Sequence, residues 1–596
     1  MKDFLKFTLA TVVGIVVSSV VLFFVSILVL FGMASSSDVE TTVSDNSVMM
    51  LDLNGSLVER SQEDPFSLFL GDSYTSYGLD DVLASIKKAK DNEKIKGIYI
   101  EAGMLGASGY ASLQAVRNAL QDFKESGKFI VAYGDTYSQG LYYLASVADK
   151  VLLNPKGMIE WRGLAAMPIF YKDLLEKVGV EMQVFRVGTY KSAVEPYTAT
   201  EMSPANREQV NAYIRSIWGQ MTADVAASRG LSVERLNGLA DSLLMFDPSE
   251  RSVESGLADT LIYKNDVRDY LKTMAGVDED DTLPILSLKD MMNVQKNIPK
   301  DKSGNIVAVY YATGEIVDSD DFSPMISGDE PVISGEKMIR DLRRLKENDD
   351  VKAVVIRVNS PGGSAYASEQ IWHAVTELKQ EKPVIVSMGD YAASGGYYIS
   401  CNADTIVAEP TTLTGSIGIF GMVPNVKGLT DKLGLHFDVV KTNAYSDFGG
   451  IGRGMNAGEK ALMQRYVNQG YDLFLARCSE GRGIDKAAVD EIAQGRVWTG
   501  NTAKELGLVD ELGGLNKALE IAVGKAGLTG EGYTVLSYPK KESFLEVLMN
   551  ANMGGYLKAR LFEGKMGEVY RAFSVLENVD KCERVQARMP FDLNIQ

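Results

Sequence analysis

The strongest constraint on this chain is that a long stretch of it occurs twice. "YGDTYSQGLYYLASVADKVLLNP", Tyr133–Pro155, returns as "MGDYAASGGYYISCNADTIVAEP", Met388–Pro410, at a constant offset of 255 residues. Gly134 meets Gly389, Asp135 meets Asp390, Tyr142 and Tyr143 meet Tyr397 and Tyr398, and Pro155 meets Pro410. The register continues without a gap through Gly163 with Gly418, Gly179 with Gly434 and Tyr190 with Tyr445. Upstream, "IKGIYIEAG" from Ile95 answers "VKAVVIRVN" from Val351 at an offset of 256. A period this long means a duplicated domain, since solenoid repeats run roughly 20 to 50 residues.

Each copy alternates short apolar runs with helical patterns. "NIVAVYYATGEIV", "VKAVVIRVN", "KPVIVSMG" and "DTIVAEP" read as strands, while "SEQIWHAVTELKQ" and "GYYISCNA" read as helices. This alternation predicts α/β domains built from βαβ units around mostly parallel sheets. The boundaries follow as residues 45–275 for the first copy and 305–540 for the second. The acidic "GVDEDDTLP" from Gly276 opens a linker over 276–304, and 541–596 reads as a helical C-terminal extension.

The N-terminus differs in kind. Phe7 to Met33 holds no charged residue, which at about 1.5 Å rise per residue is enough to cross a hydrocarbon core of roughly 30 Å. It reads as a single transmembrane anchor in contact with membrane lipid, within residues 1–37. The competing reading, a cleaved signal peptide ending near "GMASSS", calls for an apolar region of only about 7 to 15 residues. Lys2 and Lys6 precede the span and Asp38, Glu40 and Asp45 follow it. The positive-inside rule therefore keeps the short N-terminus cytoplasmic and places the remaining bulk outside the cytoplasm.

A formal charge of −18 excludes nucleic acid as an expected partner, because no clustered Lys and Arg run is present to bind phosphates. Three widely spaced cysteines, Cys401, Cys478 and Cys582, support neither a disulfide framework nor a metal site. Only two histidines exist, His373 and His436, and neither lies in a motif of catalytic type.

Chemistry is expected where the two copies differ. In "GDYAASGGYYI" a lone hydroxyl, Ser394, is followed by Gly395 and Gly396, and its equivalent in the first copy is Gln139. Ser394 reads either as a nucleophile or as a helix cap. A serine nucleophile needs a base, and with histidine unsuited the remaining candidate is Lys191 in "VGTYKSAVEPY", placed at the end of an apolar strand and matched by Ser446 in the second copy. One copy has kept the serine and the other the lysine, so one composite site can be assembled from two half-sites. A free lysine, with a pKa near 10.4, cannot accept a proton at neutral pH, so the site must be desolvated. Gly362 and Gly363 in "NSPGGSAY", together with the Gly395 amide, are candidate oxyanion donors, although Pro-Gly-Gly also suits a plain turn. Ser85 and Lys88 match S-x-x-K but lack the companion S-D-N and K-T-G elements, so that segment reads as a solvated helix face.

The duplicated halves with "NSPGGS", "YAASGGYYI", "LTGSIGIFG", "YKSAVEP" and "GRVWTGNTAKELGLVDELGG", behind one N-terminal anchor, resemble the long form of the signal peptide peptidase A family over roughly residues 45–540. That resemblance implies two tandem ClpP/crotonase-like domains and a serine endopeptidase with a Ser/Lys dyad, Ser394 and Lys191, acting on signal peptides left after secretion. It implies Ser416 as the hydroxyl that orients the lysine, with Trp161 at that place in the first copy. It also implies a homotetramer in the cytoplasmic (inner) membrane, peptide substrates, no cofactor and no metal. Two rival functions stand beside it. One is an anchored scaffold that binds apolar peptides without cutting them, and the other is an acyl-CoA enzyme of crotonase type.

Overall fold

The computed structural model describes residues 40–61, 75–107, 109–294, 301, 303–319, 331–450, 452–541 and 585–588, with scattered positions between 6 and 21. The expected anchor, Phe7–Met33, lies largely outside the described residues. Among the described residues no helix is long and apolar enough to cross a membrane.

In the first half a parallel sheet runs in the order β2 (Thr75–Gly78), β1 (Ser47–Val58), β3 (Ile95–Ala107), β4 (Phe129–Tyr137), β5 (Lys150–Ile159), β7 (Thr260–Leu261), with β8 (Ile285–Leu286) beside β1. β8 falls inside the stretch read as a linker, so part of that stretch belongs to the first sheet. The second half repeats the plan with β18 (Val497–Thr499), β16 (Leu413–Gly415), β14 (Val384–Ala393), β12 (Val351–Ser360), β9 (Ile306–Thr313) and β20 (Thr534–Tyr538). β15 (Thr405–Ala408) joins β14, and β19 (Glu511–Leu512) joins β15. Only the β16–β18 pair of this sheet is antiparallel.

These strands are apolar nearly throughout because both faces of the sheet are covered. Along β9 the alternation decides which core a side chain enters. Ala308, Tyr310 and Ala312 pack on one side with the helix Ala365–Lys379, and Val307, Val309 and Tyr311 pack on the other with the helix Leu515–Lys525. The repeat reaches into the helices: Tyr110–Lys124 and Ala365–Lys379 are both 15 residues long, and Pro204–Arg229 and Ala457–Arg482 are both 26.

A third, mixed sheet joins the halves in the order β11 (Val332–Ser334), β10 (Glu315–Val317), β13 (Gly362–Ser364), β21 (Val585–Arg588), β17 (Phe420–Asn425), β6 (Glu181–Arg186). β6 belongs to the first copy and pairs antiparallel with β17 of the second. β21 is a strand within the C-terminal stretch expected to be helical; nearly all of that stretch lies outside the described residues.

Polar groups fasten the same junction. The Arg357 guanidinium on β12 donates to both carboxylate oxygens of Glu59 at 3.0 and 2.9 Å, with both side chains buried. Asp390 on β14 accepts from the Ser112 amide at 2.8 Å and the Ser112 hydroxyl at 2.6 Å, at the start of a first-half helix. Gln114 Oε1 accepts from the Thr411 hydroxyl at 2.8 Å. Removing one partner of a buried charge pair such as Arg357–Glu59 costs about 3–5 kcal/mol, so this pair resists relative motion of the halves.

Candidate active site

Ser394 sits where β14 ends and the helix Gly395–Ser400 begins, at φ 56° and ψ −114°. A non-glycine residue at positive φ carries backbone strain of order 1–3 kcal/mol and persists only where its surroundings fix it. Here the Ser394 amide donates to the Gly415 carbonyl at 2.8 Å, and its own carbonyl accepts from the Tyr398 amide at 2.8 Å. The Ser394 side chain makes no cap hydrogen bond to the helix it precedes. The hydroxyl is thereby left free for another partner.

That partner is Lys191. Its Nζ lies 2.8 Å from Ser394 Oγ, 3.0 Å from the Ser416 carbonyl oxygen and 3.1 Å from Ser416 Oγ. Lys191 is 0% exposed. Burial pushes its amine well below the ordinary lysine range, and among the described residues no carboxylate offsets that push. A neutral amine has two N–H donors and one lone pair. With the donors spent on the carbonyl and hydroxyl of Ser416, the lone pair points at the Ser394 O–H, which is the arrangement a proton acceptor needs.

Lys191 does not end a strand as its sequence context predicts. It stands beyond β6 in a turn whose conformation comes from tertiary contacts. The helix Pro204–Arg229 holds this turn from the first half. Asn206 Nδ2 donates to the buried Glu195 carboxylate at 2.9 Å, Ser192 Oγ donates to Asn206 Oδ1 at 2.9 Å, and Gln209 Nε2 donates to the Tyr190 carbonyl at 3.0 Å. From the second half, Gln494 accepts the Tyr190 amide at 2.8 Å through its carbonyl, and Arg496 lies 4.6 Å over the Tyr190 ring.

Two glycines that sequence reasoning missed shape the lysine's channel. A Cβ on Gly495, at φ +75°, would stand 2.6 Å from Lys191 Cβ, and a Cβ on Gly418 would stand 3.2 Å from Lys191 Cδ. Gly418 carried a signal, since it recurs as Gly163 in the repeat. Gly495, inside "GRVWTG", could be tied to the lysine only through space.

Of the candidate oxyanion donors, Gly395 is the first residue of its helix, where the amide has no intrahelical acceptor. Gly362 and Gly363 form β13 at φ 103° and 154°. A Cβ on Gly363 would lie 2.1 Å from the Ile316 carbonyl oxygen, so only glycine lets β13 approach β10. The Gly362 amide donates to Ser360 Oγ at 3.1 Å. Among the described residues no group of His, Cys, Asp and Glu is arranged to hold a metal ion.

The equivalent place in the first copy is plugged. Gln139 Oε1 accepts from the Arg162 and Gly163 amides at 3.0 and 2.9 Å, and its Nε2 donates to the Gly163 carbonyl at 3.1 Å. Trp161, at the Ser416 position, is buried with its indole N–H donating to Leu236. Ser446, at the Lys191 position, is exposed. Among the described residues the chain therefore presents one such site, not two.

Comparison with known proteins finds matches in both halves of the chain. The model of "Peptidase family S49" matches residues 122–278 and 376–529, one segment in each half. A Clp protease model matches residues 329–411, a span that includes β13 and Ser394. The chain is 34% identical over 528 residues to Protease 4 of Haemophilus influenzae, covering 85% of this chain and 84% of that one. It is 36% identical to Protease 4 of Salmonella typhi, covering 86% and 84%. It is 32% identical to a chloroplastic serine protease SPPA of Arabidopsis thaliana, covering 74% and 64%.

Proposed function

Because this chain belongs to peptidase family S49 and is a serine peptidase, we propose that Ser394 and Lys191 form its catalytic dyad and that it is a membrane-anchored endopeptidase degrading apolar peptides such as spent signal peptides. The observation that carries this reading is a fully buried amine 2.8 Å from a serine hydroxyl with, among the described residues, no carboxylate to keep it charged. Neutral Lys191 takes the Ser394 proton as Oγ attacks the scissile carbonyl. The developing oxyanion is stabilised by the Gly395 amide and by the glycines of β13, whose Gly362 amide leaves Ser360 Oγ to take part. Lys191 then protonates the leaving amine, and as base again it activates the water that hydrolyses the acyl-enzyme. Ser416 orients Lys191 through two acceptor oxygens. This chemistry needs neither cofactor nor metal. Fluorophosphonate labelling tests it: wild type labels, whereas Ser394→Ala and Lys191→Met do not. Labelling of Ser394→Ala at the wild-type rate refutes it.

The charge-free run Phe7–Met33, with lysines before it and acidic residues after it, supports an anchor whose catalytic body lies outside the cytoplasm. Tethered there, the enzyme meets apolar remnants in the bilayer.

The pairing of β6 with β17 supports assembly of copies, a homotetramer in our reading. By the repeat, β17 corresponds to residues 165–170 and β6 to residues 436–441, and neither of these segments is a strand. Both are partly exposed and carry apolar side chains, with Met167 and Ile169 in the first and Phe437, Val439 and Val440 in the second facing solvent. We read each segment as pairing with its counterpart on a neighbouring copy, in the register that sets Met422 opposite Val184 within the chain. Met167 then faces Val439. Such head-to-tail contacts close into a ring when the rotation from copy to copy is a whole fraction of a turn, a quarter turn for a tetramer. A Met167→Cys/Val439→Cys double variant should form disulfide-linked oligomers on oxidation, and exclusively monomeric chains would refute the pairing.

A further inference from the structure

Arg496 stands between the two turns that carry the base and the oxygens that hold it. Its guanidinium lies 4.6 Å over the Tyr190 ring on one side and 4.4 Å over the Trp498 ring on the other. Tyr190 immediately precedes Lys191 in the first copy, whereas Trp498 belongs to β18 and is paired with Thr414 of β16. Nη1 donates to the Tyr190 hydroxyl at 3.1 Å, and Nη2 lies 2.9 Å from the Glu208 carboxylate on the helix Pro204–Arg229. The main chain of the same residue serves the other turn. Its carbonyl accepts the Ser416 amide at 2.6 Å, which helps to hold Ser416 at its positive φ of 49°. Gly415, whose carbonyl fixes the Ser394 amide, packs on the same pair: a Cβ there would stand 3.0 Å from Trp498 Cδ1 and 3.1 Å from the Arg496 carbonyl oxygen. Tyr190 and Arg496 are half-buried, while Lys191, Gly495 and Ser416 beside them are buried. The stack is thus an outer layer of the wall around the amine.

Two observations separate this arginine from an ordinary interface ion pair. The Glu208 side chain is 56% exposed, and a pair with so wet a carboxylate contributes little. A planar guanidinium held between two rings is the stronger contact, and a compact ammonium cannot reproduce it. The second observation is the repeat. "GLADTL", Gly256–Leu261, aligns with "GLVDEL", Gly507–Leu512, at an offset of 251, and this register also matches Leu243 with Gln494, both at φ 51°. It sets Met245 at the place of Arg496. The backbone plan therefore does not call for arginine here. The arginine stands in the copy that faces the lysine, the same asymmetry that distributes serine and lysine.

We propose that Arg496 is a positioning residue for the base: its stack between Tyr190 and Trp498 clamps the Lys191 turn of the first copy onto the Ser416 turn of the second and keeps water from the amine. The proposal rests on the reading of Ser394 and Lys191 as the dyad and adds what holds the two half-sites in register.

The test uses full-length wild type, Arg496→Met, Arg496→Lys and Lys191→Met. The readouts are kcat and KM on an internally quenched apolar peptide and the rate of fluorophosphonate labelling, each followed over pH, beside urea denaturation. Without the stack the base turn shifts, and misplacement on the order of 1 Å lowers rate by about 10- to 100-fold. Water reaching Nζ also favours the charged amine, so the acid limb of kcat/KM moves to higher pH. Arg496→Met should show that loss at neutral pH, carried by kcat with KM within about threefold of wild type, and the deficit should shrink as pH is raised. Arg496→Lys keeps the charge beside Glu208 but not the double stack, and should behave like Arg496→Met. A purely structural arginine would lower the urea midpoint and leave the pH profile in place. An unmoved acid limb in Arg496→Met, or wild-type behaviour of Arg496→Lys, overturns the proposal while leaving the dyad intact. Should Arg496→Met fail to fold, Tyr190→Leu removes one ring and must move the limb in the same direction; an unmoved limb there overturns the proposal equally. Labelling of Lys191→Met at the wild-type rate overturns the dyad and the proposal together.

Discussion

Replacing Gly495 with alanine isolates the placement of the lysine from its chemistry. The substitution leaves Ser394, Lys191 and Ser416 in the sequence but puts a methyl group 2.6 Å from Lys191 Cβ. Relief to an ordinary carbon–carbon contact of about 3.6 Å demands roughly 1 Å of movement. Lys191 is the side that must yield, because Gly495 is pinned by its amide donating to the Ile417 carbonyl at 2.8 Å. A shift of that size takes Nζ out of hydrogen-bond reach of an oxygen now at 2.8 Å. Misplacement by about 1 Å costs on the order of 100-fold in rate, or about 2.7 kcal/mol of transition-state stabilisation. Alanine at φ +75° also costs roughly 1–2 kcal/mol of stability. Gly530→Ala separates the two effects, since Gly530 has a similar φ of +81° with nothing within 4 Å of its would-be Cβ. The assay is kcat/KM on a quenched peptide beside urea denaturation of both variants. Both should lose similar stability, and only Gly495→Ala should lose about 100-fold in activity. If Gly495→Ala keeps activity within about threefold of Gly530→Ala, close packing around the lysine does not position the base.

Two pH-dependent outcomes follow from buried groups. The unfolded chain holds the Lys191 proton up to its ordinary pKa of 10.5, whereas the folded chain releases it well below that value. Unfolding therefore takes up a proton between those limits, and stability contributed here rises with pH through that window. Lys191→Met should abolish peptide cleavage, remove this rise in urea titrations run at several pH values, and stabilise the fold most at the acid end; an unaltered pH slope contradicts a neutral amine. Wild-type kcat/KM should correspondingly fall as pH drops through the depressed pKa. Glu409, buried on the second copy with Asn118 of the first donating at 3.3 Å, is pushed from 4.5 up to about 7 by desolvation. Its folded form binds the extra proton, so stability falls as pH climbs from 4.5 to 7, by about 3 kcal/mol at 1.36 kcal/mol per pKa unit. Glu409→Gln should flatten that decline in denaturation midpoints, and a decline of equal size in the variant assigns it to another group.

The reading of the sequence reached furthest where information repeats along the chain. Ser394 against Gln139, and Lys191 against Ser446, are visible as complementary losses because the offset of 255 residues aligns them. The apolar runs of β12 and β14 are legible because a sheet covered on both faces demands near-continuous hydrophobic strands. The turn that carries Lys191 was less legible. Its local context resembles a strand end, but its conformation is imposed by Glu195, Asn206 and Gln209 on one side and Gln494 on the other.

Covalent order alone determined the duplication, the α/β alternation and the residue types available for hydroxyl and amine chemistry, since each is a property of identity and spacing. Only the tertiary structure decided that the amine and the hydroxyl, 203 positions apart, meet inside one chain. Folding alone also settled that Gly495 walls the amine in and that Val585–Arg588 lies between β13 and β17. Desolvation is the reason: how far a lysine is stripped of water depends on every group packed around it, and no local pattern encodes that sum.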